Sequence, residues 1–185
     1  MASPRIIAGR YKGLRLQAVP GTVTRPITDR VKEALFNVIG ADIVDANFLD
    51  LFGGTGSVGI EALSRGAAFV TFIEKNRDAF RVLQKNLSQI KESEKHELIL
   101  GDAFSVLERA LGRQFDYSFI APPQYKGMWE EMLLKVDLKP GMLTENAWVI
   151  VQIDPKEYKF QELSALKEFD IRNYGSTRLV FYIKS

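Results

Sequence analysis

The stretch Phe48-Leu-Asp-Leu-Phe-Gly-Gly-Thr-Gly-Ser-Val-Gly59 constrains most strongly what this chain can fold into. Its apolar start reads as a strand that stops at a glycine-rich turn. A helix then opens, with Val58, Ile60 and Leu63 among its apolar positions. Glycines at 53, 54 and 56 tolerate positive φ and let a ligand approach the backbone without meeting a Cβ. Such a helix start points N–H groups outward and carries the positive end of the macrodipole. Glu74 ends the next strand about 20 residues past the loop, the spacing at which nucleoside-binding folds hold a ribose hydroxyl pair. A purely structural strand-to-helix turn is the alternative, and the nucleoside-cofactor cradle is the reading carried forward. NAD, FAD and S-adenosylmethionine (SAM) all fit it.

Around this loop the chain alternates strand and helix, the signature of a parallel sheet covered on both faces. Strands are expected at Asn47–Phe52, Ala68–Ile73, Glu97–Leu100, Phe115–Ala121 and Ala147–Ile153. Helices are expected from Ser57 to Arg65, from Asn76 with Phe80, Leu83, Leu87 and Ile90, through Val106, Leu107 and Leu111, and around Trp129, Met132 and Leu133. The end differs. Lys167–Tyr174 and Thr177–Ile183 are strand-like runs separated only by Gly175-Ser176, and two residues can close an antiparallel hairpin but not a parallel crossover. The expected fold is therefore α/β, a seven-stranded mixed sheet of five parallel strands plus a C-terminal antiparallel hairpin.

Ahead of the sheet, residues 5–16 alternate around Gly9 and Gly13 and read as short strands or a hairpin. Thr28 is expected to cap a helix lined by Val31, Leu35 and Val38 and stopped by Gly40. Residues 1–40 are thus read as an extension packed on one compact domain, 41–185. Residues 1–32 hold seven basic side chains (Arg5, Arg10, Lys12, Arg15, Arg25, Arg30 and Lys32) against Asp29, a charge of +6 in a chain whose net charge is +2. A basic extension on a near-neutral body suits a phosphate-rich partner, and a solvated hairpin without one is the alternative.

Composition closes off other chemistries. The absence of cysteine removes disulfides and thiolate metal sites and suits a reducing cytosol. The single histidine, His96, falls in the Lys91–Glu97 charge run, read as a solvated loop, so no histidine triad and no metal site are expected. No apolar run is long enough to span a membrane, and no secretion signal opens the chain, so a cytoplasmic monomer is expected.

Three motifs carry a family resemblance. Arg5-Ile-Ile-Ala-Gly-Arg-Tyr-Lys-Gly13 with Thr24-Arg-Pro-Ile-Thr-Asp-Arg-Val-Lys-Glu-Ala-Leu-Phe-Asn37 resembles the opening of bacterial 16S ribosomal RNA guanine-N2 methyltransferases. Asp50-Leu-Phe-Gly-Gly-Thr-Gly-Ser-Val-Gly-Ile-Glu-Ala-Leu-Ser-Arg-Gly-Ala67 and Tyr174-Gly-Ser-Thr177 resemble that family as well. The resemblance runs nearly end to end, and the expected sheet is similar to that of Rossmann-like class I SAM methyltransferases. It implies SAM as cofactor and small-subunit ribosomal RNA, free or in an assembling subunit, as partner. By position it puts Asp50, Phe52, Gly53, Gly54, Thr55 and Gly56 beside the methionine half of SAM. Glu74 falls at the ribose, and Asp102 with Ala103 at the adenine. The three acids have a structural alternative as strand-end caps of the following helices. Arg10, Arg25 and Arg30 are assigned to RNA phosphates, the latter two alternatively to the rim of the SAM pocket.

One departure stands out. The family ends strand 4 in Asp/Asn-Pro-Pro-Tyr/Phe, whereas this chain has Ala121-Pro-Pro-Gln-Tyr125. The motif grips the N–H bonds of a poorly nucleophilic amine with a side-chain acceptor and a proline carbonyl, while an aromatic stacks on the extruded base. Ala121 has no acceptor, leaving Pro122, Gln124 and a displaced Tyr125 as the catalytic candidates; the alternative is that the prolines merely end the strand and Tyr125 packs in the core. A SAM- and RNA-binding protein with weakened turnover, and a DNA adenine-N6 methyltransferase, are the competing functions.

Overall fold

The computed structural model describes residues 3–21, 26–91 and 95–185. Its strands form a seven-stranded mixed sheet. Chain contacts group into two units, Met1–Ala103 and Phe104–Ser185.

In the first unit, β1 (Asn47–Asp50), β2 (Phe69–Glu74) and β3 (His96–Leu100) run parallel with β2 in the middle. β1 is two residues shorter than the sequence suggests, because the chain already turns at Leu51 and Phe52 and returns through the bond from Gly53 N–H to the Ile73 carbonyl (2.8 Å). That leaves Asp50 as the last strand residue. His96 begins β3 rather than lying in a solvated loop, its ring edge-on to Phe72, and burial lowers its pKa.

Helix α1 (Asp29–Ile39) starts as expected: Thr28 Oγ1 accepts from Val31 N–H at 3.3 Å, and Gly40 ends it with a φ of 67°. Its buried stripe is Val31, Lys32, Leu35, Phe36 and Ile39, so Val38 flanks the core instead of lining it. Every residue of α2 (Ser57–Ser64) is buried. The glycine at 59 follows from this packing, since a Cβ there would sit 2.2 Å from the Phe72 ring. In α3 (Arg77–Leu87), Asn76 caps the N–H groups of Asp78 and Ala79.

Residues 3–16 lie over α2. Only one bridge forms, Arg5 with Arg15, but the main-chain bonds Ile6 N–H to Leu14 O and Gly13 N–H to Ile6 O close it as a hairpin-like loop. Glu61, fully buried, accepts from the N–H groups of Ile7 and Ala8, from Arg65 Nε and, at 3.4 Å, from Lys32 Nζ. Lys32 also donates to the Arg5 carbonyl (2.6 Å) and Ser57 Oγ (2.8 Å). This corrects the charge count of the extension: Lys32 is interior, and Arg5 is paired with Asp29 at 2.6 Å. Burial drives the Lys32 pKa down, with Glu61 opposing.

Helix α4 (Ala103–Val106) is one short turn, and β4 (Phe115–Ile120) and α5 (Met128–Asp137) follow in the second unit. β5 (Leu143–Ile153) starts four residues earlier than expected. β6 (Leu166–Tyr174) and β7 (Thr177–Lys184) form the expected two-residue hairpin, with Gly175 at a φ of 60°. β5 pairs parallel with β4 and antiparallel with β7, so the hairpin returns its second strand to the sheet. Trp129, Met132, Leu133 and Val136 bury one face of α5, and Asp137 at its end accepts from the N–H groups of Ser164, Ala165 and Leu166.

Candidate functional site

Three carboxylates stand at the C-terminal ends of the three parallel strands of the first unit: Asp50 ending β1, Glu74 ending β2 and Asp102 two residues beyond β3. Ligands of open α/β sheets bind at this edge. Asp50 is 2% exposed, and its Oδ1 is buried without a hydrogen-bond partner. Burial pushes its pKa up to about 7, the Glu74 charge adds to this, and N–H groups of Phe52 and Gly59 oppose it. A buried carboxylate oxygen with nothing to accept from invites a donor or a cation.

Glu74 bridges the loops on either side of it. Its Oε2 accepts from Gly54 N–H (2.8 Å) and its Oε1 from Asn76 N–H (2.7 Å). Each oxygen keeps a further lone pair for a ligand hydroxyl. Gly101 N–H bonds to the Glu74 carbonyl at 3.0 Å, joining the third strand end to the second. Asp102 is partly exposed, with Lys75 Nζ at 3.3 Å, and Ala103 is buried.

The loop glycines divide by role. At Gly56 the φ is 81°, and a Cβ would lie 2.2 Å from Leu83 Cδ1, so backbone and packing both disfavour a side chain there. Gly54 has a φ of 56°, and only the Phe52 carbonyl, 3.9 Å away, lies near where its Cβ would be. Close approach by a ligand is therefore open at Gly54. Asn86, fully buried on α3, donates to the Thr55 carbonyl (2.8 Å) and the Gln17 carbonyl (3.1 Å) and accepts from Gln17 N–H. It ties the cradle to the N-terminal extension. In the sequence its only signal is a polar residue directly before Leu87 on an otherwise apolar helix face.

In the second unit, Pro122 is buried, Pro123 and Gln124 are half-buried and Tyr125 is 64% exposed. The alternative in which Tyr125 packs in the core is excluded. Tyr125 takes a φ of 59°, unusual for a residue with a side chain. Its N–H bonds to Glu157 Oε1 (2.6 Å) and its hydroxyl to Asp154 Oδ2 (2.7 Å). Both acids belong to a capping box closing the turn after β5. Tyr125 thus fastens the end of β4 to the end of β5.

Arg10 and Arg30 are exposed; Arg10 is fixed through its N–H to the Ser64 carbonyl at 2.8 Å. Thr24 and Arg25 lie outside the described residues. Among those described, no cluster of three or more acidic or histidine side chains could hold a metal ion, and no helix is long and apolar enough to cross a membrane.

Residues 4–183 match the family described as Conserved hypothetical protein 95. This chain belongs to that family. A relative within reach of it, Ribosomal RNA small subunit methyltransferase D of Escherichia coli (strain K12), is 38% identical over 145 residues, 78% of this chain and 69% of its own length. The solved structure of yhhF from Escherichia coli superposes with a TM-score of 0.86 at 31% identity, covering 100% of this chain and 99% of that one. An RNA methyltransferase from Salinibacter ruber, solved with S-adenosyl-L-homocysteine, shares the fold at a TM-score of 0.64 and 15% identity, covering 86% and 94%. The family expected from the motifs and the mixed-sheet fold are both borne out.

Proposed function

We propose that this chain is a SAM-dependent ribosomal RNA methyltransferase acting on the exocyclic N2 amine of a guanine in the small subunit. The observation that carries the cofactor is Asp50: a buried carboxylate oxygen without a partner, held at the edge of an open glycine cradle. The donor set fits SAM. Asp50 faces its ammonium, Glu74 its ribose hydroxyls, and Asp102 with the Ala103 backbone the adenine, while Phe52, Gly53, Gly54, Thr55 and Gly56 form the floor. When bound, SAM supplies a methyl group on a sulfonium centre that leaves as a neutral thioether.

The chain's own task is then to make a guanine amine reactive. Pro122 has no N–H, its ring fixes φ, and its carbonyl is available to hold one amine N–H. The exposed ring of Tyr125 is a stacking surface for an extruded base, and Gln124, half-buried, lies between the two. Arg10, Arg25 and Arg30 take RNA phosphates.

Incubation with labelled SAM and undermethylated small ribosomal subunits tests this, with the label expected on guanine N2. No transfer under conditions where a related enzyme works would overturn it. Ala121 favours a second reading, a SAM- and RNA-binding protein of weak turnover. On that reading Ala121→Asp creates activity where there was none; on the first, the unaltered chain is already active.

A further inference from the structure

The Ala121 departure leaves one of the two amine N–H bonds without its acceptor, and the neighbouring strand offers one. β4 and β5 pair parallel in register through Phe119 with Ile150 and Ile120 with Val151. One residue further come Gln152, still within β5, and Ala121, the first residue past the end of β4. Side chains alternate along strands, so Gln152 shares the face of Ile150, on which Phe119, two residues before Ala121, also stands. The Gln152 Oε1 is buried and has no hydrogen-bond partner. Gln152 is itself held in mid-sheet, paired on its other side with Leu179 of β7. The Tyr125 bonds to Asp154 and Glu157 fasten the two strand ends together just beyond it.

We infer that Gln152 supplies the side-chain acceptor missing at position 121. Its amide oxygen takes the amine N–H that the Pro122 carbonyl does not, one strand over from the place where the family's acid or amide stands. This rests on the proposed methyl transfer to an amine. A neutral acceptor at this position holds the N–H as charge builds on nitrogen, and the proton finally leaves to solvent. It also accounts for a half-buried amide that otherwise has nothing to accept from, at a cost the fold would not be expected to retain without use.

The test compares the full-length chain with Gln152→Leu, Gln152→Glu and Gln152→Leu/Ala121→Asp. Two quantities are read: kcat for methyl transfer to undermethylated small subunits, and relative affinity for S-adenosylhomocysteine and a SAM analogue bearing a primary amine in place of the methyl. Gln152→Leu is expected to lower kcat on the order of 10²–10³, with SAM affinity and melting temperature unchanged. Gln152→Glu, which keeps an acceptor, falls far less, and Ala121→Asp restores the Leu variant. Preference for the amine analogue is expected to drop about tenfold in Gln152→Leu, by loss of a single hydrogen bond. If Gln152→Leu folds poorly, Gln152→Met of similar length is read in its place. A kcat within about threefold of the unaltered chain overturns the inference, one factor of three being well below the loss of any such acceptor. If the unaltered chain transfers no methyl where a related enzyme does, the proposed function falls. The analogue then decides alone: a preference lost in Gln152→Leu upholds the acceptor, and no preference, or one that survives, overturns it.

Discussion

Glu74 Oε2 accepts the Gly54 N–H at 2.8 Å, so the acid ending one strand holds in place the most open glycine of the loop that follows another. The carboxylate proposed to hold the ribose thus also shapes the cradle. Glu74→Ala should therefore weaken SAM binding twice over, through the lost ribose contact and a loosened Gly54. Charge-assisted bonds of this kind are worth about 1.5–3 kcal/mol each, so a loss of at least tenfold in affinity is expected by calorimetry. Glu74→Gln, which still accepts from Gly54, should lose less. Equal losses for both variants would remove the shaping role.

If Asp50 faces the SAM ammonium as proposed, SAM binding depends on pH in a definite direction. With its pKa raised to about 7, the empty protein holds the carboxyl largely protonated below neutrality. A ligand ammonium favours the carboxylate, so binding releases a proton. Affinity should rise between about pH 6 and 8, by at most tenfold per unit, and Asp50→Asn should flatten this slope. Stability runs the other way. A carboxyl whose folded pKa lies above its unfolded value stabilises fully below the unfolded pKa and loses that contribution as pH rises through 7. Asp50→Asn should thus raise the melting temperature at pH 8 and leave it nearly unchanged at pH 4. Melting curves at the two values check this.

How much of this was legible from residues alone depends on how local the cause is. The closing hairpin was readable because two residues, Gly175 and Ser176, admit one connection. The three strand-end acids followed from the alternating pattern. Tyr125 was not readable as exposed: its left-handed backbone is stabilised by acids about 30 positions away, beyond any local pattern. The burial of Lys32, in contrast, is legible in the sequence. This residue precedes Leu35, Phe36 and Ile39 by three, four and seven places, which puts it on the apolar stripe of α1.

That buried lysine carries its own prediction. Lys32 and Glu61 are 1% and 0% exposed at the side chain and 3.4 Å apart, and Glu61 also holds the N–H groups of Ile7 and Ala8. Lys32→Met leaves Glu61 with Arg65 as its remaining cation and takes the Lys32 donor from the Arg5 carbonyl and Ser57 Oγ, and should cost about 1–3 kcal/mol in denaturant unfolding. Replacing both residues by apolar ones should not restore stability, because the two backbone N–H groups would lose their acceptor. A double variant as stable as the unaltered chain would show that Glu61 is not the clamp of the extension.

The clamp also bears on RNA binding, because it fixes the residues that present Arg10. The Arg10 main chain is anchored to the Ser64 carbonyl, and a Cβ at the preceding Gly9 would lie 1.9 Å from that same oxygen. Arg10→Ala should weaken binding to small-subunit RNA and reduce the slope of log affinity against log salt by about one, with SAM affinity unchanged. Gly9→Ala leaves every charge in place but forces the hairpin-like loop off α2. It should weaken RNA binding as well, while destabilising the extension. Filter binding across a salt series separates the two. A lower slope in Arg10→Ala identifies a lost phosphate contact. An unchanged slope with weaker affinity in Gly9→Ala identifies a displaced but still charged extension. If Arg10→Ala leaves the slope unaltered, Arg10 makes no phosphate contact, and Arg30 is the next residue to vary.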